Sequence, residues 1–231
     1  MEPPVAPALD EIICDSDEEN DVSTELLSPG ELRDRLLHLW QNEKVAPELL
    51  TAHSDLLGLV QEEAEQLEAQ AKSLPAGDLR AQLKFMQAER LRFILADYMR
   101  TRIFKIEQFV EHILAEERAR PDNDSPHLTA EEFLFAKSYT NSIKDYLKHT
   151  ILNRLPVNMQ SIKDEDLAFR PNLNSYVFCR ALSRLFVTDV PTHSRDTQSG
   201  STSVDLEPGE QHLLPYSAVR SFVEDGRILL L

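Results

Sequence analysis

Seven histidines, two cysteines and forty carboxylates are the side chains in this 231-residue chain that could bind a metal, act as a nucleophile or shuttle a proton. A helical metal face needs ligands three or four residues apart. The nearest histidine pairs, His38/His53 and His112/His127, are each fifteen residues apart, so they read as structural histidines. Cys14 and Cys179 are too few for a disulfide framework or a zinc site, which points to a reducing intracellular compartment. Six glycines, none of them clustered, leave no phosphate-cradling loop, dinucleotide fingerprint or nucleophile elbow. The carboxylate pairs Glu62/Glu63 and Glu116/Glu117 lie in charge-rich helical patterns, where a solvated face is the simpler reading than acid/base catalysis. These residues offer no active site, no metal site and no cofactor site, and the sequence predicts a protein that is not an enzyme.

One chemical reading remains open. Between Leu79 and Arg120 there are nine basic residues (Arg80, Lys84, Arg90, Arg92, Arg100, Arg102, Lys105, Arg118 and Arg120) against six acidic ones. Such a helix could grip phosphates and stack bases, making the chain a helical nucleic-acid-binding module. The whole chain, however, has a net charge of -16, which repels a polyanion. Pairing of the arginines with carboxylates such as Glu89, Asp97 and Glu107, or with acidic partner surfaces, is the preferred reading, and direct DNA contact is disfavoured.

Charge and hydropathy patterning then organise the chain. Residues 1–27 hold nine acidic side chains and no basic ones, and read as a disordered acidic tail. No strictly apolar run exceeds four residues, which argues against a membrane span, and the acidic N-terminus argues against a secretory signal. Ser28-Pro29-Gly30-Glu31 forms a capping-box pattern that opens a helix carrying Leu32, Leu36, Leu39 and Trp40. A short helical turn is expected at Ala46-Pro47. Ser54 then caps a helix with an apolar stripe of Leu56, Val60, Ala64, Leu67, Ala71 and Leu74, which Pro75-Ala76-Gly77 ends. Asp78 caps the longest pattern, to about Arg120, roughly 63 Å at 1.5 Å per residue. Its middle is apolar on every side (Leu91, Phe93, Ile94, Leu95, Tyr98, Met99, Ile103, Phe104, Ile106, Phe109), so it needs more cover than one-striped neighbours give. Thr129-Ala130-Glu131-Glu132 caps the last helix of a helical domain spanning 28–156.

After a linker over 157–170, the pattern changes to short strands at Tyr176-Cys179, Leu185-Val187, His212-Tyr216 and Arg227-Leu231, with a polar insertion from Thr192 to Ser203. A short helix from Ser217 to Glu224 intervenes, and Pro215 confines its strand to an edge. The fold class is therefore mainly α, an N-terminal multi-helix domain followed by a small β-rich α+β domain over 171–231. A unit that size buries little core of its own and needs a surface to dock on.

Several runs, in order, carry a resemblance: Trp40-Gln41-Asn42-Glu43-Lys44-Val45-Ala46-Pro47-Glu48-Leu49-Leu50, Glu89-Arg90-Leu91-Arg92-Phe93-Ile94-Leu95, Tyr98-Met99-Arg100-Thr101-Arg102 and Lys105-Ile106-Glu107. Asn174-Ser175-Tyr176-Val177-Phe178 and Gly209-Glu210-Gln211-His212-Leu213 extend it to the C-terminus. Over about residues 28–231 the chain resembles the Sld-five subunit family of the eukaryotic GINS complex. That resemblance implies a non-catalytic scaffold with three sister GINS subunits as partners. It also implies association with the MCM motor ring and the Cdc-forty-five protein in the replicative helicase, at origins and forks in the nucleus. Under that reading the all-round apolar helix is buried against sister subunits. The candidate interface residues are Trp40, Leu91, Phe93, Tyr98, Arg102, Phe104, Lys105, Phe109, Tyr176 and Phe178. In the tail, Leu9, Asp10, Glu11, Ile12 and Ile13 resemble a peptide with which fungal members dock on a trimeric β-propeller replisome hub. A merely solubilising tail is the competing reading. Ser16, followed by three acidic residues, is a candidate phosphosite whose added charge would tune that docking.

Overall fold

The structure is a computed structural model that describes residues 28–75, 77–121, 125–156, 158, 160, 168–191 and 201–231. Four helices come first: α1 (Pro29–Val45), α2 (Ser54–Ser73), α3 (Leu79–Ala119) and α4 (Ala130–Thr150), with a 3-10 turn at Leu152–Arg154. The capping boxes read from the sequence form. Ser28 Oγ accepts from the Glu31 amide while Glu31 accepts from the Ser28 amide, and Thr129 and Glu132 exchange the same pair. Asp78 caps α3 through the Arg80 amide at 2.9 Å. The helix is interrupted at Phe109, whose φ of -119° and ψ of 25° are not helical. Residues 46–53 hold no helical turn. Ala46 caps α1 in extended conformation, the chain bends at Pro47 and Glu48, and residues 49–53 have no regular structure. The proline that suggested helix initiation there instead follows an extended residue, as the ring of a proline demands of its predecessor.

The helices bury two apolar cores. One joins Leu32 and Leu36 of α1, Val60, Ala64 and Leu67 of α2, and Ala88, Leu91 and Ile94 of α3. The other joins Leu49, then Ile106, Val110, Ile113 and Leu114 of α3, with Leu128 just before α4 and Ala136 within it. The stripes read at steps of three and four are the buried faces.

The C-terminal part holds β1 (Tyr176–Ala181), β2 (Leu185–Pro191), β3 (Ser201–Leu206), β4 (Gln211–Pro215), α5 (Tyr216–Glu224) and β5 (Ile228–Leu230). Strands β4, β1 and β5 form an antiparallel sheet with β1 in the centre, and β2 pairs with β3 as an antiparallel ribbon. Pro215 closes an edge strand, as its missing N–H requires. The polar insertion expected up to Ser203 lies outside the described residues from 192 to 200, and its last three residues open β3 instead. Serines and threonine masked the strand, but Val204 and Leu206 pair in register with Val187 and Leu185, so period two holds. Gly226 takes a φ of 69° in the turn between α5 and β5, a left-handed conformation in which a side chain is strained.

The small β-rich unit does not close its own core. Its buried cluster, which includes Val177, Cys179, Leu206, Leu214, Val219 and Leu230, takes in Ala46 and Leu50 from the segment after α1. Asn42 of α1 accepts the Leu230 amide at 2.8 Å in the interior. Arg220 of α5 pairs with Glu48 at 2.8 Å. Of the apolar C-terminal run, Ile228, Leu229 and Leu230 are buried, while Leu231 is exposed.

Candidate subunit interface

Two features of α3 bear on function, one inside the chain and one outside. The inner face carries Leu91, Ile94, Tyr98, Arg102, Lys105 and Ile106, a seam at helical spacing that admits two cations among apolar residues. Arg102 is only 2% exposed. Its five N–H groups all find acceptors: Nε and Nη2 bind the two Glu132 oxygens at 2.8 and 2.9 Å, and Nη1 binds Glu43 at 3.3 Å. Nη1 also donates to the Leu50 carbonyl at 3.0 Å, and Nη2 to the His127 carbonyl at 2.7 Å. Lys105 Nζ donates to Glu43 Oε1 and to the Glu48 carbonyl, each at 2.7 Å, and to the Glu43 carbonyl. Two cations thus meet two carboxylates with every N–H used, which is the condition under which buried charge is tolerated.

Arg102 and Lys105, expected at the contact with other subunits, therefore belong to the interior of this chain. Leu91 and Tyr98 are likewise buried by its own helices. The cluster fastens the end of α1, the segment after it and the start of α4 to one turn of α3, and the same segment supports the β-rich unit. Part of the signal was present: Glu48 sits between Val45-Ala46-Pro47 and Leu49-Leu50, and Arg102 and Lys105 sit in the seam between Tyr98 and Ile106, whereas Glu43 lies in the polar run Gln41 to Lys44 and gave none.

The electrostatics follow the packing. Burial lifts the Tyr98 hydroxyl to about 12. Burial also lowers the Lys105 ammonium from its ordinary range, with Glu43 opposing. For Glu132, burial alone would raise the carboxyl, but bonds and charge from Arg102 and bonds from Thr129 outweigh it, so its pKa lies below the ordinary 4.5. A carboxylate depressed in the folded state adds stability above its unfolded pKa and loses it as pH falls through the folded one. Urea midpoints should therefore drop on acidification below that ordinary value, and Glu132→Gln should flatten the acid limb while lowering stability at neutral pH. An unchanged acid limb in the variant would exclude Glu132 as the source.

The outer face of α3 is apolar and uncovered. Leu79, Leu83, Met86, Phe93 and Phe104 recur at steps of four, three, seven and eleven, so they share one side of the helix. Phe93 is 61% exposed and Phe104 59%. Trp40 is half-buried where α1 meets that side, donating from Nε1 to Asp97 at 2.8 Å beneath the Lys44 ammonium. Phe109 is partly buried in the second helical core. Tyr176 and Phe178 stand exposed on the outer face of the three-stranded sheet, opposite Pro215 and Leu213. The peptide Leu9 to Ile13 and the candidate phosphosite Ser16 lie outside the described residues.

Of the carboxylates expected to neutralise the basic helix, Glu89 pairs with Arg92 at 3.5 Å, and Asp97 is taken by Trp40 and Lys44. Sequence reasoning missed Glu68 on α2, which also binds Arg92, and Glu43 and Glu132 on Arg102. Among the described residues no group of three or more His, Cys, Asp or Glu is placed to hold a metal ion. Among them, too, no helix is long and apolar enough to cross a membrane.

Comparison with known proteins bears on what such a chain is. The family model described as "GINS complex protein helical bundle domain" matches residues 52–150, and that described as "DNA replication complex GINS protein SLD5 C-terminus" matches residues 171–231. The protein of Bos taurus named "DNA replication complex GINS protein SLD5" is 37% identical over 215 residues, covering 93% of this chain and 96% of its own length. The chain belongs to the GINS SLD5 family. The family member of Xenopus laevis is 35% identical over 94% of this chain and 97% of its own, and that of Homo sapiens 34% identical over 89% and 92%. The matches cover both the helical part and the β-rich part, in the order in which they are found here.

Proposed function

We propose that this chain is a non-catalytic scaffold subunit of a four-subunit GINS assembly, with the outer face of α3 buried against sister subunits. The observation that carries this is the uncovered apolar stripe from Leu79 to Phe104 on a chain whose helices α1 and α2 already bury their own stripes against the other side of α3. Tyr176 and Phe178 supply a second apolar contact on the sheet. Membership of a DNA replication family supports a place in the replicative helicase at origins and forks, in the nucleus, with the MCM motor ring and the Cdc-forty-five protein as further partners. In this reading residues 28–156 and 171–231 are the two domains, 157–170 links them, and the acidic residues 1–27 form a tail that docks the β-propeller hub, tuned at Ser16.

Co-expression with three candidate sister subunits, followed by light scattering on the size-exclusion eluate, tests the central part. The expected result is one peak of 1:1:1:1 stoichiometry, and poor solubility of the chain alone because its apolar stripe is bare. A monodisperse monomer of 26.4 kDa indifferent to the other three would contradict it.

A further inference from the structure

The apolar stripe of α3 is not uniformly apolar. Arg90 lies between Met86 and Phe93 on the same side, and Arg100 lies one turn before Phe104 at its edge. Both are exposed, and among the described residues neither is within reach of a carboxylate to form an ion pair or a hydrogen bond. Neighbouring arginines are treated differently: Arg92 is held by Glu68 and Glu89, and Arg102 by Glu43 and Glu132. Asp97, on this side of the helix, feels the Arg100 charge but already accepts hydrogen bonds from Trp40 and Lys44. Glu89, the other carboxylate between Met86 and Phe104, is held by Arg92, and Asp97 by Lys44 of α1, so Arg90 and Arg100 remain on this side of the helix without a carboxylate of their own among the described residues.

Covering Phe93 and Phe104 removes water from the guanidiniums beside them. A desolvated cation without a partner is strongly unfavourable, so whatever seals the aromatic groups must also bring anions. Arg90 and Arg100 are ten residues apart, about 15 Å along a helix. A second helix packed along α3 with carboxylates at that same separation meets both at once, and its apolar seam fills the space between.

We infer that the element covering this stripe is a sister-subunit helix with an apolar seam and two carboxylates about ten residues apart, one for each of Arg90 and Arg100. This rests on the reading that the face is a subunit interface, and it states the chemistry of the partner surface. A nucleic acid is the poorer fit. Phosphates would satisfy the guanidiniums but leave Leu83, Met86, Phe93 and Phe104 against a charged, hydrated backbone.

The test compares three variants co-expressed with the sister subunits: Arg90→Glu with Arg100→Glu, Arg90→Gln with Arg100→Gln, and Phe104→Asp. Recovery of the heterotetramer is read at low and high salt, and each purified complex is titrated with fluorescent duplex DNA. The charge-reversed pair should lose complex by about tenfold or more while the helical circular dichroism of the chain is unchanged. The glutamine pair should assemble more weakly than the parent at low salt and lose the parent's salt dependence, which a misfolded chain would not mimic. Full assembly of both pairs, with Phe104→Asp still defective, would overturn the inference and leave the interface reading standing. Full assembly of all three variants would overturn both. Intact assembly with weakened DNA binding in the arginine variants would assign the guanidiniums to phosphate and also overturn it.

Discussion

Arg102→Leu is expected to lower the stability of the chain by about 3–5 kcal/mol, the usual cost of breaking a buried ion cluster by removing one member. The change removes five hydrogen bonds at once. It leaves the Glu43 carboxylate with Lys105 alone, strips Glu132 of its two strongest contacts, and orphans the buried Leu50 and His127 carbonyls. Against a total of about 5–15 kcal/mol for a domain, that is a large fraction. The effect should spread. Leu50 sits under the β-rich unit, so loosening the segment after α1 also loosens the seat of β5 and α5. Thermal melting of the soluble protein, alone or co-expressed, should show a fall of about 10 °C or more. Arg184→Met is the matched control, because Arg184 pairs with Asp205 at 2.8 Å on the surface, where such pairs contribute about 0–1 kcal/mol. Equal shifts for the two variants would refute the structural role assigned to the cluster.

Phe104→Asp is expected to abolish assembly while leaving the chain folded. Phe104 is exposed within this chain, so the substitution opens no cavity in its core. In the assembled state an aspartate at that position would be buried beside apolar groups without a designed partner, a loss of at least about 2 kcal/mol, or roughly thirtyfold in affinity. Glu65→Lys provides the contrast, because Glu65 is exposed on α2 and, among the described residues, is bonded only to Gln61. Native gels of the co-expressed proteins should show the complex for Glu65→Lys and not for Phe104→Asp, with equal helical circular dichroism for the two chains. A complex that forms normally with the Phe104 variant would place the interface elsewhere.

These two residues also mark what the sequence made legible and what it hid. Helix limits could be read because they depend on local chemistry: Ser28, Asp78 and Thr129 each bond an amide two or three residues away. The family motifs could be read, but not which of their residues face inward. Arg102 and Phe104 stand two apart in one run, and one is buried while the other is bare. That difference depends on where α1, the segment after it and α4 cross α3, and on carboxylates 59 and 30 residues away in the chain. No local pattern encodes such crossings. Strand β3 was half hidden for a different reason, since serine and threonine at its start resemble a loop until Val187 and Leu185 are seen to pair with Val204 and Leu206. The dependence of the β-rich unit on Ala46 and Leu50 was foreshadowed only as a need to dock, because its size sets the need and the fold sets the seat.

The most direct measurement is oxidative footprinting of Met86, Phe93 and Phe104, in the chain alone and in the co-expressed assembly. All three are exposed here, so they should oxidise readily in the free chain and be strongly protected once sister subunits bind, while Leu213 at the sheet edge serves as an internal reference for the second contact. Protection of all three residues is the result expected if α3 is the element by which this subunit joins its partners. Unchanged oxidation in a verified four-subunit complex would contradict that account.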